Sequence, residues 1–197
     1  MAGWTIRQLW NSTAKVRQWR KFNYSNSKSR RVVKVVPYVA TKMCLFQFEH
    51  YGITQNAQHA INIMFTGLEI TKEKRPTDFF LVIPYKGTEY YVEKPDLGIH
   101  PALIRCSCAD FYFTFSYWNW QKGTAFGPKP RRYIRKTTTY PERNPRHHPG
   151  FCKHVYNSLL LMQTMGWTNL KHKRWYDYYP HWDEQDTDVG EPEPDEQ

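Results

Sequence analysis

A chain of 197 residues with 28 Lys and Arg against 18 Asp and Glu is long enough for one domain with tails, or two small domains, and is basic overall at +10. No stretch approaches the ~18 apolar residues of a membrane span, and Met1–Trp10 has no apolar core of the kind a secretory signal needs. Composition therefore speaks against a membrane protein, and its four cysteines point to reduced thiols or a metal rather than a disulfide scaffold.

The charge is unevenly spread. Eight carboxylates and no Lys or Arg fall between Asp183 and Glu196, which leaves ten acids against 28 bases in residues 1–182, a balance of +18. A basic body of this kind suits a polyanionic partner, either nucleic acid or the acidic face of another protein. Aromatic residues, at 17% of the chain, supply core volume and also favour interfaces, because Tyr and Trp combine an apolar body with a polar tip.

Residues 1–31 hold eight Lys or Arg and no acid, with Trp4, Ile6, Leu9, Trp10, Val16 and Trp19 as apolar anchors. They read as an extended basic arm with a short helix, able to lie on phosphates or insert into a neighbouring subunit. Residues 32–102 form a β-rich region. Val32–Tyr38, Met43–Glu49 and Ile61–Ile70 are β-branched and aromatic runs, and Phe79–Tyr85 and Thr88–Glu93 flank a hairpin turn at Lys86-Gly87. Leu103–Trp120 continues the β character and carries Cys106 and Cys108.

Residues 122–150 form a long loop whose Lys122, Lys129, Arg131, Arg132, Arg135, Lys136, Arg143 and Arg146 face one acid, Glu142. Pro149-Gly150 ends it. Val155, Leu159, Met162 and Met165 then recur at helical spacing and predict a helix from about Phe151 to Met165, closed by Gly166. An aromatic and basic segment follows from Trp167 to Trp182, then an acidic C-terminal tail. The fold class is α+β, an antiparallel sheet with a C-terminal helix packed on it, divided as arm 1–31, β-rich region 32–102, metal-binding region 103–166 and extension 167–197.

Cys106-Ser-Cys108 and Cys152-Lys-His154 are the sharpest chemical signal. Three thiolates and one imidazole are a common donor set for tetrahedral structural zinc, and a Cys-x-Cys pair on an extended strand or its turn can aim both sulfurs at one ion. Such ligands also accept iron. Cys44 is left over and reads as a buried thiol, and His147 and His148 read as exposed loop.

The constellation resembles the SWIM-type zinc finger, in which Cys-x-Cys, a spacer and Cys-x-His form a zinc-stabilised β-β-α core. Phe111-Tyr112-Phe113 and Gly150-Phe151-Cys152-Lys153-His154 share in the resemblance, which spans about residues 103–165. The spacer between Cys108 and Cys152, 43 residues, is longer than the family's, because the basic loop lies within it. The segment Asn144–His154 is also similar to SWIM-like proteins of tailed bacteriophages.

The resemblance implies a Zn2+ ion and binding to DNA or protein. No phosphate loop, His-Glu-x-x-His, Gly-x-Ser-x-Gly or deaminase signature is present, so no enzyme and no small-molecule substrate are expected. The expected function is a structural or assembly protein, a virion component of a tailed phage that contacts neighbouring protein subunits. The alternative is a sequence-independent nucleic-acid-binding protein, in which the loop cations together with Tyr133 and Tyr140 would meet phosphates and bases.

Overall fold

The computed structural model describes residues 3–16, 27–52, 58–134, 136 and 142–169. The chain opens with helix α1 (Ile6–Val16), followed by strands β1 (Ser27–Tyr38), β2 (Met43–Gly52) and β3 (Gln58–Thr66). Next come β4 (Ile70–Thr71), β5 (Phe80–Tyr85), β6 (Thr88–Glu93) and β7 (Ala102–Cys106). A helical run then passes through α2 (Ala109–Phe111), a π-helical stretch (Tyr112–Ser116) and α3 (Tyr117–Gln121). Helix α4 (Lys153–Thr164) is the last element among the described residues.

Among the described residues the strands form two antiparallel sheets, one in the order β1-β2-β3-β7 and a smaller one in the order β4-β6-β5. Alternation places the side chains. Along β3, Ile61, Ile63 and Phe65 are buried while Asn62, Met64 and Thr66 between them are only partly covered. β7 repeats the pattern with Ala102, Ile104 and Cys106 inward. The β5–β6 hairpin turns at Lys86 and Gly87, both at positive φ (50° and 75°), the conformation that a two-residue turn with inverted twist requires.

Helices α1 and α4 share the core with the sheet. Val155, Leu159 and Met162 of α4 are fully buried, and the helix packs over β3 and β7. The helix predicted around Phe151–Met165 is thus present as Lys153–Thr164, with Gly166 at φ 67° just past its end.

Three expectations need correction. The extended N-terminal arm does not describe residues 6–16. Ile6 and Leu9 are fully buried, and Trp10 stacks on Phe151 and Tyr156 at centroid distances of 5.7 and 5.1 Å. Its apolar residues recur at helical spacing, and that stripe outweighs the basic composition as a guide to where the segment sits.

Second, the β character read through Leu103–Trp120 stops at Cys106, and residues from Ala109 to Gln121 are helical. Aromatic β-propensity is overridden there by packing, since Phe111 and Phe115 are buried one turn apart. The metal-binding region is therefore not a β-β-α unit: a strand leads into a helix and, after the long loop, into a second helix. Third, the boundary drawn between residues 102 and 103 falls inside β7, whose partner β3 lies in the preceding region.

The aromatic segment beyond Asn169, the acidic tail, and Arg135 and Tyr140 of the loop lie outside the described residues.

If α1 belongs to the core, Leu9→Ala costs about 2–5 kcal/mol of stability in urea unfolding, the range for a buried leucine. A change below about 0.5 kcal/mol would return the segment to the status of an appended arm.

Candidate metal centre

Four donors converge between the end of β7 and the start of α4. The Cys106, Cys108 and Cys152 sulfurs and a His154 ring nitrogen all lie within 4.8 Å of one another, and all four residues are buried. His154 Nδ1 is 3.8 Å from Cys106 Sγ and 4.0 Å from Cys152 Sγ. A tetrahedron with Zn–S and Zn–N bonds of ordinary length has edges of roughly 3.6–3.8 Å, so the spacing fits one ion with little adjustment.

Local structure aims each donor. Cys106 is the last residue of β7 and sits opposite Ile61 of β3. Beyond it, Ser107 is tied to β3 twice: its N–H donates to Ala60 O, and its Oγ accepts from Ala60 N–H, both at 3.0 Å. That anchorage turns the chain so that Cys108 faces back toward Cys106. Cys108 is the N-cap of the helical run, where its sulfur accepts the Phe111 N–H at 3.3 Å, the place of a serine or aspartate oxygen in an ordinary cap. Cys152 is likewise the N-cap of α4, and His154 lies in that helix's first turn.

A second set of contacts delivers Cys152. Gly150, two residues before it, is held by the buried amide of Asn119: Nδ2 donates to Gly150 O at 2.9 Å, and Oδ1 accepts from Gly150 N–H at 2.7 Å. Thr13 of α1 accepts the next N–H, that of Phe151, at 2.9 Å. A Cβ at position 150 would stand 2.6 Å from Thr13 Oγ1 and 2.8 Å from the Phe115 ring, so the approach is open to glycine alone. Earlier in the loop, Asn144 donates to Thr114 O and His148 O, both at 2.8 Å, and accepts the His148 N–H.

The electrostatics suit a cation. Burial pushes the Cys106 and Cys152 thiols well above the usual thiol range. Hydrogen bonds from Cys106 and then Cys152 hold Cys108 far below it, so one thiolate leans on two neighbouring thiols. A divalent ion would replace those shared protons and let all three sulfurs ionise, while the N–H groups of Cys108 and Phe111 point at sulfur and support the charge. The His59 ring lies beside that of His154 at 4.5 Å, and burial holds its pKa below the usual histidine value.

The remaining predicted site residues separate from this centre. Cys44 lies fully buried on β2 and outside the cluster, its thiol pushed up to about 12 by burial. Lys122, Lys129, Arg131, Arg132, Tyr133, Lys136, Arg143 and Arg146 are all exposed. The structure gathers part of this loop onto the outer face of the helical run, where Arg132 lies 5.2 Å from the Trp118 ring and Lys129 lies 4.3 Å from that of Trp120. His147 is exposed, as expected, with its ring stacked on Trp118 at 3.8 Å, whereas His148 is half-buried. Asn119, Asn144 and Thr13 do not stand out in the sequence; a polar residue clamping a distant backbone leaves no local pattern.

Comparison with family profiles, with characterised proteins and with solved structures finds no match for this chain. What fold and site define is an α+β protein with a buried Cys3His cluster able to hold one metal ion. Its likeness to the SWIM finger rests on the ligand pattern.

Elemental analysis of purified protein is expected to give about one zinc per chain. Cys152→Ser should lose it along with about 3 kcal/mol of stability, the linkage when free zinc exceeds its dissociation constant by a factor of about 100. A metal-free wild type of full stability would contradict the site. In the native protein at about pH 8, Cys44 should escape alkylation, because burial both shields its thiol and disfavours the thiolate, and peptide mass spectrometry should find it labelled only in denaturant.

Proposed function

We propose that the chain is a non-enzymatic, zinc-stapled binding module that joins a larger protein assembly. The supporting observation is the Cys3His cluster itself. Three sulfurs and an imidazole complete a tetrahedral shell, whereas a catalytic zinc keeps one position for water or substrate. Zinc here would fasten the end of β7 to the start of α4 and so hold the intervening loop at both ends.

The setting named by the resemblance is the particle of a tailed phage, where the module would contact neighbouring subunits. The basic body and acidic C-terminal sequence support that reading, since opposite charges on one chain guide docking and register between subunits. The second reading, nucleic-acid binding, is favoured by the exposed cations and rings gathered over the helical run.

The assembly reading predicts that the chain co-sediments with assembled particles through a density gradient at a fixed copy number, and does so at high salt. Recovery only in the free-protein fractions would overturn it.

A further inference from the structure

The helical run from Ala109 to Gln121 buries one side and leaves a row of rings on the other. Tyr112, Phe113 and Trp120 remain 39%, 41% and 37% exposed, and the π-helical stretch begins among them at Tyr112. Such a stretch widens a helix locally and re-aims its side chains, and it occurs often at functional sites.

The loop that follows comes back across this face. Arg105 donates to Pro128 O at 2.6 Å and pins its start. Lys129 then lies over Trp120, Arg132 lies over Trp118 and Tyr117, and Tyr133 meets the Phe113 ring edge-on at 4.6 Å while staying 46% exposed. Phe113 and Tyr133 thus form a pair of outward rings between cations.

Acidic partners for those cations are missing among the described residues. Among the described residues, no carboxylate pairs with Lys122, Lys129, Arg131, Arg132, Lys136, Arg143 or Arg146, and the loop's Glu142 sits 3.8 Å from His147. Asp110, on the same helical run, accepts a hydrogen bond from Thr114. Unpaired charge of one sign on an exposed ledge raises the local concentration of a polyanion. The exposed rings narrow the choice of polyanion. An acidic protein segment would need the charges alone, whereas unpaired bases also need flat apolar faces spaced among them. A duplex hides its base faces within the stack, so exposed rings find stacking partners on a single strand.

We infer that this ledge, built from the helical run and residues 128–134, is a binding surface for single-stranded nucleic acid: bases stack on Phe113, Tyr133 and Tyr112, and phosphates are held by the loop's Lys and Arg. Recognition is independent of sequence. The inference rests on the nucleic-acid reading above and specifies its strand form and contact residues.

Fluorescence anisotropy of the zinc-loaded full chain with a labelled oligothymidine of about 20 nucleotides, and with the matching duplex, tests it. The single strand should bind more tightly. Phe113→Ala with Tyr133→Ala should weaken it about tenfold or more with little change in salt dependence. Lys129→Gln with Arg131→Gln should instead flatten the log–log salt slope by about 0.7 for each phosphate no longer neutralised. Both pairs are exposed, so unchanged zinc content and circular dichroism confirm that each variant folds. Equal or tighter binding of duplex, or an aromatic pair without effect, would overturn the inference while leaving nucleic-acid binding in place. No binding of either nucleic acid at about 50 mM salt would overturn both. Polyglutamate that displaces the strand as well as unlabelled oligothymidine does, charge for charge, would reassign the ledge to an acidic protein partner.

Discussion

The sulfurs of Cys106, Cys108 and Cys152 and the imidazole of His154 meet between a strand end and a helix start, and the convergence of these four donors constrains everything around it. Buried thiols placed this close cannot all ionise without a counter-charge, and left neutral they waste three strong metal donors in a dry site. A single divalent cation would resolve the conflict. Bound there, it would also close the chain across a 43-residue spacer, a restraint on the unfolded state comparable in kind to a disulfide.

That closure does not act alone. β3 holds Ser107, and thereby the Cys106–Cys108 turn, while Asn119 and Thr13 hold Gly150 and Phe151. One half of the ligand set is thus referred to the sheet and the other to two helices. Because α1 contributes Thr13 to this arrangement as well as Ile6, Leu9 and Trp10 to the core, the N-terminal helix is bound up with the geometry of the metal centre. The outer surface has anchors of its own: Asn144 is tied to the helical run through Thr114 O, and Arg105 of β7 holds Pro128 through its carbonyl oxygen.

Much of the fold is legible in the residues, and the places where it is not have a common origin. The strands β1, β2, β5 and β6 can be read because β-branched and aromatic residues cluster between turn residues, and the hairpin because Lys86-Gly87 can adopt positive φ. α4 announces itself through Val155, Leu159 and Met162. The ligands stand out because both halves are short local motifs. The segment after Cys108 reads as strand because Phe111, Tyr112, Phe113 and Phe115 carry high β-propensity, yet Phe111 and Phe115 are four apart and bury together only on a helix. α1 reads as an arm when its charge is weighed ahead of its apolar stripe.

What the sequence by itself determined is local: the strand and helix periods, the ligand types and their spacing within each pair, and the basic character of the loop between them. The two pairs could be joined into one site from the ligand set itself, but only the tertiary structure decided that Asn119 and Thr13 hold the second pair in place, that α1 lies in the core, and that loop cations come to rest over aromatic rings of the helical run. The reason is physical. Short-range sterics and hydrophobic periodicity act between residues a few positions apart, whereas Thr13 with Phe151, Asn119 with Gly150 and Cys106 with His154 are pairings between distant positions, which form only when the whole core has closed.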